Sequence, residues 1–199
     1  MIKNIILDVG RVLVSWEWEP VFERLGFDAE TKKRVAEATV YAPEWSEFDR
    51  SVRSDAEILQ SLIRNAPEYE EPIRQFWKHI DETIVPYPYA MEFVKCFKNR
   101  GYQVYILSNY SRYTYHKTQE ALKVTELADG RIFSFQVGCI KPEARIYQLL
   151  LERYHLVPEE CLFMDDSPVN IKAADALGIQ TLLFSDYDQV QKQLKKMGI

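Results

Sequence analysis

Cysteine, long apolar runs and blocks of like charge are all scarce in this 199-residue sequence. Its three cysteines, Cys96, Cys139 and Cys161, lie far apart, cannot all pair and form no Cys-x-x-Cys unit. That argues against a disulfide framework, a thiolate metal site or a redox pair, and leaves reduced core thiols as the expectation. No apolar stretch approaches the roughly 18 residues that a membrane-spanning helix needs. The N-terminal apolar run is too short for a signal peptide and meets an acid at Asp8. A cytoplasmic location is therefore expected. The net charge of -5 comes from interspersed acids and bases, so nothing recommends a nucleic acid or an anionic membrane as partner. No obligate protein partner is evident either. His79, His116 and His155 are scattered without metal-ligand spacing and read as structural or exposed.

What is present is an alternation of strands and helices. Short apolar runs at Ile5 to Leu7, Val104 to Leu107, Phe133 to Val137, Leu162 to Met164 and Thr181 to Phe184 read as buried strands. Between them, Tyr89 to Arg100, Ile146 to Tyr154 and Val169 to Leu177 carry helical apolar periodicity. Ser167 is the expected N-cap of the last of these, with Pro168 at the first helical position and Gly178 beyond the end. Such alternation predicts an α/β fold with a parallel sheet covered on both faces. From about Trp16 to Val85 there are helix-like segments only, separated at Asp28, Pro43, Ser54, Pro67 and Pro72. This stretch reads as an all-helical insertion, residues 16–85, over a core made of residues 1–15 and 86–199. It leaves after the first strand and returns before the second, which should set it above the end of the strand that leads to Asp8.

Ligands of open parallel sheets bind beyond the carboxyl ends of the strands, so the residues there are the candidates for chemistry. They are polar: Asp8, Gly10 and Arg11 after the first strand, Ser108 and Asn109 after the second, Lys141 after the third, and Asp165, Asp166 and Ser167 after the fourth. Singly, each has an ordinary explanation as a cap or a surface group. Together they supply a nucleophilic carboxylate, a hydroxyl, an ammonium and an acidic pair at one sheet edge, the inventory for displacement at a phosphoryl centre. A carboxylate can approach a phosphate dianion only if its charge is partly neutralised; a divalent cation shared by Asp8 and Asp166 would do this, and magnesium suits such oxygen ligands. Ser108, backbone N–H groups and Lys141 would stabilise charge on the equatorial oxygens. Arg11 could reach either a substrate anion or a neighbouring carboxylate.

Four ordered segments then carry a resemblance to the haloacid dehalogenase superfamily: Ile5 to Leu13, Val104 to Asn109, Ile140 to Tyr147, and Cys161 to Ala174 with its Asp165-Asp166-x-x-x-Asn170 pattern. The resemblance implies a Rossmann-like three-layer core with the nucleophile strand central, and a helical cap that opens and closes over the site. It implies Asp8 as nucleophile, Ser108 as phosphate ligand and Lys141 as charge anchor. Magnesium would be held by Asp8, the Gly10 carbonyl and Asp166, with Asp165 and Asn170 supporting that shell through hydrogen bonds. The expected activity is hydrolysis of a small phosphorylated metabolite. One position departs from the pattern. Phosphatases of this family typically carry a second Asp two residues after the nucleophile, as general acid and base, and here that position is Gly10. The Asp-x-Gly-x-Val loop is similar to that of certain sugar-phosphate phosphatases. Two other readings compete: a metal-free 2-haloacid dehalogenase, separable by its indifference to EDTA, and a non-catalytic binder of a phosphorylated ligand.

Overall fold

In the computed structural model, which describes all 199 residues, five parallel strands form one sheet in the order β3-β2-β1-β4-β5. The strands are β1 (Asn4–Leu7), β2 (Gln103–Ser108), β3 (Gly130–Phe133), β4 (Cys161–Asp165) and β5 (Gln180–Leu183). β1 is central. Its residues Asn4 to Leu7 pair with Gln103 to Ile106 on one side and Cys161 to Met164 on the other. All four β1 side chains are buried, as a strand covered on both faces requires.

The period-two alternation of the strands assigns their side chains to two helical layers. Ile5, Leu7, Val104, Ile106, Leu162 and Met164 pack with Phe93, Val94 and Phe97 of α6 (Ala90–Asn99) and with Val190 and Leu194 of α11 (Tyr187–Lys196). On the opposite face, Ile6, Tyr105, Leu107 and Phe163 pack with Ile146, Tyr147 and Leu150 of α9 (Ala144–Tyr154) and Ala174 of α10 (Pro168–Asp175). The three-layer α/β core follows from this division.

Between β1 and β2 the chain forms five α-helices: α1 (Trp18–Arg24), α2 (Ala29–Ala38), α3 (Glu44–Arg50), α4 (Asp55–Asn65) and α5 (Glu70–Lys78). They bury their own cluster, built on Phe22, Val35, Phe48, Leu62, Ile73 and Phe76. The expected separators act at their starts. Asp28 caps α2 by accepting from the Thr31 N–H, Ser54 and Glu57 form a reciprocal capping box on α4, and Pro43 precedes α3. Pro72 instead lies within the first turn of α5, where its missing N–H has no intrahelical partner to lose.

Three expectations need correction. The third strand is Gly130–Phe133, and Ser134–Val137 is a short helix, α8. Gln136 Oε1 accepts from the Phe133 N–H and turns the chain at the point where alternation suggested continued extension. The strand opens on a glycine because the Tyr154 ring lies where a Cβ would stand, 2.3 Å from its nearest atom. β5, expected to be buried, is an edge strand paired only with β4, and Leu183 is 42% exposed. Cys96 is exposed rather than a core thiol, while Cys139 and Cys161 are buried; all three are unpaired. No helix is long and apolar enough to cross a membrane.

Candidate active site

The registers that align β1, β2 and β4 bring Asp8, Ser108 and Asp165 to one edge of the sheet. Asp8 begins the loop after β1. Its N–H still donates to the Met164 carbonyl at 3.0 Å, which fixes it beside β4, and its Oδ1 accepts from the Val9 N–H at 2.7 Å. The tight loop that follows closes on the Val9 and Val14 carbonyls and leaves the Gly10 carbonyl without a backbone donor.

Lys141 joins this cluster from the loop after α8. Asn109 positions it by a two-way clamp: its Nδ2 donates to the Lys141 carbonyl at 2.9 Å, and the Lys141 N–H donates to Asn109 Oδ1 at 2.7 Å. Both ends of the Asn109 amide are thereby engaged in holding the lysine, so a phosphate contact by that side chain would require opening the clamp. The ammonium, 1% exposed, lies 2.8 Å from Asp8 Oδ1 and 2.6 Å from Asp165 Oδ2. Burial opposes its charge, but the two carboxylates outweigh burial and hold it above the ordinary lysine range.

Asp165 is fully buried and its oxygens are occupied. Besides Lys141, Oδ1 accepts from the Ser167 N–H at 2.8 Å and from Asn170 Nδ2 at 2.9 Å. Ser167, expected to cap α10 through its hydroxyl, makes no such bond. Asn170 thus touches Asp165 and not the cavity, in keeping with a supporting position.

The carboxylate oxygens of Asp8, Asp165 and Asp166 lie within 4.8 Å of one another. Burial pushes the Asp8 carboxyl up to about 7; Lys141 works against this, and Asp165 and Asp166 add to it. Burial also raises Asp166, reinforced by Asp165 and opposed by Arg11 and Lys141. Crowded carboxylates of this kind, with Asp165 already committed elsewhere, leave Asp8 and Asp166 as hard oxygen donors of the kind magnesium takes, and Gly10, its carbonyl free of a backbone donor, lines the same cavity. Arg11, in a left-handed backbone conformation (φ 57°), places its guanidinium 3.6 Å from Asp166. Of the two destinations open to it from sequence, the carboxylate is the one it occupies here.

Asp8, Gly10, Arg11, Ser108, Asn109, Asp166 and Ser167 line one side of a cavity of about 540 Å³. Ser108 Oγ reaches only the carbonyl of the next residue, at 3.5 Å, so its hydroxyl is available to a ligand. The helical insertion lines the other side with Trp16, Trp18, Tyr41, Trp45, Phe48 and Asp49. Arg24 and Arg50 of the insertion do not line the cavity: Arg24 pairs with Glu82, and Arg50 with Glu47 and Glu143. Asp49, Ser111 and Thr114 were not legible as site residues. No histidine lines the cavity.

A family model described as haloacid dehalogenase-like hydrolase matches residues 3–178. Over 194 residues the chain is 27% identical to D-ribitol-5-phosphate phosphatase of Bacteroides thetaiotaomicron, covering 91% of each protein. A haloacid dehalogenase family enzyme of that organism, solved in complex with magnesium and inorganic phosphate, has a TM-score of 0.73 at 22% identity, over 96% of this chain and 99% of that one. L-2-haloacid dehalogenase of Xanthobacter autotrophicus, with chloropropionic acid covalently bound, has a TM-score of 0.66 at 16% identity, over 98% of this chain and 83% of that one. Likenesses this distant in sequence show a common fold. Two other curated relatives are longer, the chain spanning 36% and 30% of their lengths.

Proposed function

This chain belongs to the haloacid dehalogenase-like hydrolases, and on that premise we propose that it is a magnesium-dependent phosphatase of small phosphate monoesters, sugar phosphates among them, with Asp8 as nucleophile. The observation that carries this reading is the meeting of Asp8, Asp166, Lys141 and a free Ser108 hydroxyl at one sheet edge. A dehalogenase that attacks carbon without a metal has little reason to keep a second carboxylate, Asp166, beside the one that holds Lys141. Phosphoryl transfer has one.

Magnesium held by Asp8, Asp166 and the Gly10 carbonyl would supply the positive charge that lets an anionic carboxylate meet an anionic phosphate. The protein's own groups do the rest. Lys141, fixed by Asn109, favours the ionised form of Asp8 and aims it. Asp8 attacks phosphorus, forming an aspartyl-phosphate that water then hydrolyses. Ser108 donates to a phosphoryl oxygen whose charge grows in the transition state. Arg11, at the rim and 3.6 Å from Asp166, would be available to a substrate anion with Asp166 serving as a metal ligand.

Residues 16–85 act in this reading as a cap on the core of residues 1–15 and 86–199, excluding water from the site. Trp16, Trp18, Tyr41 and Trp45 offer faces against which a sugar or polyol chain packs, and the D-ribitol-5-phosphate phosphatase relative supports that substrate class. The unpaired thiols support a cytoplasmic location.

The test is a phosphate-release screen of the purified chain against sugar phosphates and other phosphometabolites with magnesium. Release that EDTA abolishes and magnesium restores is the expected result. Halide release from 2-chloropropionate in EDTA would overturn it in favour of a dehalogenase. A rise in melting temperature with phosphate esters but no turnover would favour a binder.

A further inference from the structure

The site as described lacks a group to protonate the leaving oxygen. Gly10 occupies the position where the fold would place an acid, and glycine offers none. A phosphate monoester of an ordinary alcohol leaves as a strongly basic alkoxide, so its expulsion needs a proton source in the cavity.

Asp8 is the nucleophile, and Asp166 faces Arg11 and the metal position. Glu19 is exposed, and Tyr41, 69% exposed, stands at the rim. Tyr110 is buried with its hydroxyl bonded to Thr118 Oγ1, and burial pushes it further from releasing a proton. Asp49 remains. It is contributed by α3 of the insertion, is half-buried, and lines the cavity opposite Asp8.

Its placement is built. The Asp49 carbonyl accepts from Ser134 Oγ at 2.6 Å. The next residue, Arg50, reaches Glu143 through two guanidinium nitrogens at 2.6 and 3.0 Å. Ser51 Oγ then accepts from the Arg112 N–H at 3.0 Å. Three consecutive residues of α3 and its C-cap are thus tied to the core, while the Asp49 carboxylate itself has no hydrogen-bond partner in the protein. A carboxyl group held by its backbone and free at its tip is suited to meet a substrate atom.

We infer that Asp49 is the catalytic general acid and base of this enzyme, delivered from the helical insertion in place of the acid absent at Gly10. As Asp8 attacks and the bond from phosphorus to the leaving oxygen breaks, the Asp49 carboxyl gives its proton to that oxygen, releasing the alcohol and becoming a carboxylate. In the second half, Asp49 takes a proton from the attacking water. The bond between phosphorus and Asp8 breaks, inorganic phosphate leaves, and Asp49 is again protonated. Burial pushes the Asp49 carboxyl up to about 7, Asp8 adding to this and Lys141 opposing it, which suits a group that must hold and return a proton near neutrality.

The inference rests on the phosphatase reading, and leaving-group chemistry separates the two. Asp49→Asn and Asp8→Asn are compared with wild type on a sugar phosphate and on p-nitrophenyl phosphate, whose leaving group departs without a proton. Asp49→Asn is expected to lower kcat/KM, which reports the steps through departure of the leaving group, by roughly 100- to 10,000-fold on the sugar phosphate and by less than about tenfold on the aryl ester, while kcat falls on both because hydrolysis of the aspartyl-phosphate is shared; the melting temperature should stay close to that of wild type. Equal losses of kcat/KM on both esters, or kcat/KM and kcat within about twofold of wild type on both, would overturn the role of Asp49 while leaving the nucleophile intact. Absence of turnover by wild type on either ester, or activity retained by Asp8→Asn, would instead remove the underlying reading.

Discussion

Lys141 Nζ lies 2.8 Å from Asp8 Oδ1, with the lysine side chain 1% exposed and that of the aspartate 11%. The same ammonium bonds Asp165, so one buried cation balances two buried carboxylates, one just beyond β1 and one at the end of β4. Removing it leaves two charges in a dry site, where each must be neutralised by protonation or remain uncompensated. Lys141→Met is expected to lose about 3–5 kcal/mol of stability, read from urea unfolding at neutral pH. Turnover should fall at least a hundredfold, because Asp8 loses the charge that favours its nucleophilic form. A stable, active Lys141→Met variant would contradict both expectations.

Asp8→Asn removes the nucleophile but keeps its shape. The amide retains an oxygen for the Val9 N–H and relieves the crowding of Asp8 with Asp165 and Asp166. Phosphate release should vanish while the circular dichroism spectrum and melting temperature stay at or above those of wild type. Release persisting at more than about a hundredth of the wild-type rate would place the nucleophile elsewhere.

Phe48 couples the insertion's packing to the site. It is 1% exposed, packs 4.5 Å from the Trp77 ring and 5.3 Å from the Trp45 ring, and immediately precedes Asp49. Phe48→Ala should cost about 3–5 kcal/mol through lost transfer energy and the cavity left behind. Guanidinium unfolding followed by tryptophan fluorescence measures it. In kinetics, kcat/KM on a sugar phosphate should drop more than on p-nitrophenyl phosphate, since a slack α3 misplaces the proton donor and leaves Asp8 where it was.

The parts of this molecule that were legible in its sequence are those decided locally. β1, β2 and β4 are apolar runs because both faces are covered, and the residues just beyond them, Asp8, Ser108 and Asp165, must then share an edge. β3 was misplaced because Gly130 and Arg131, which begin it, look like a turn, and the need for glycine lies in Tyr154, 24 positions away in sequence. Asp49 was invisible for a related reason. Within Glu44–Arg50 it is one charged residue among several, and only the docking of α3 through Arg50, Ser51 and Ser134 onto residues of the core brings it to the cavity.

That docking should respond to acid. The Arg50 guanidinium beside Glu143 holds its carboxyl below the ordinary 4.5, with burial opposing and the Ile140 N–H assisting. A carboxyl lowered on folding contributes stability above its ordinary pKa and loses it as pH falls through the folded value. The contribution should therefore be present at pH 6 and fade below about 4.5, and Glu143→Gln should show a smaller change over that window. Because the pair is partly exposed, a double-mutant cycle with Arg50→Ala at pH 7 should give a coupling of about 1 kcal/mol or less. Coupling undiminished at pH 3 would refute the assignment.

Gly10 offers the complementary experiment, because nothing in its surroundings forbids a side chain. A Cβ built there meets no atom within 4 Å, and its φ is not positive, so Gly10→Asp should fold with a stability within about 1 kcal/mol of wild type. Its kinetic effect then depends on what the cavity already holds. With Asp49 present and functional, a second acid duplicates a proton already supplied, and kcat on a sugar phosphate should change by no more than about threefold. In the Asp49→Asn background the same substitution should recover much of the lost rate, because it returns a carboxyl to the nucleophile loop. A hundredfold gain from Gly10→Asp alone would mean that the wild-type site works without an acid, and that the position of Asp49 serves packing rather than proton transfer.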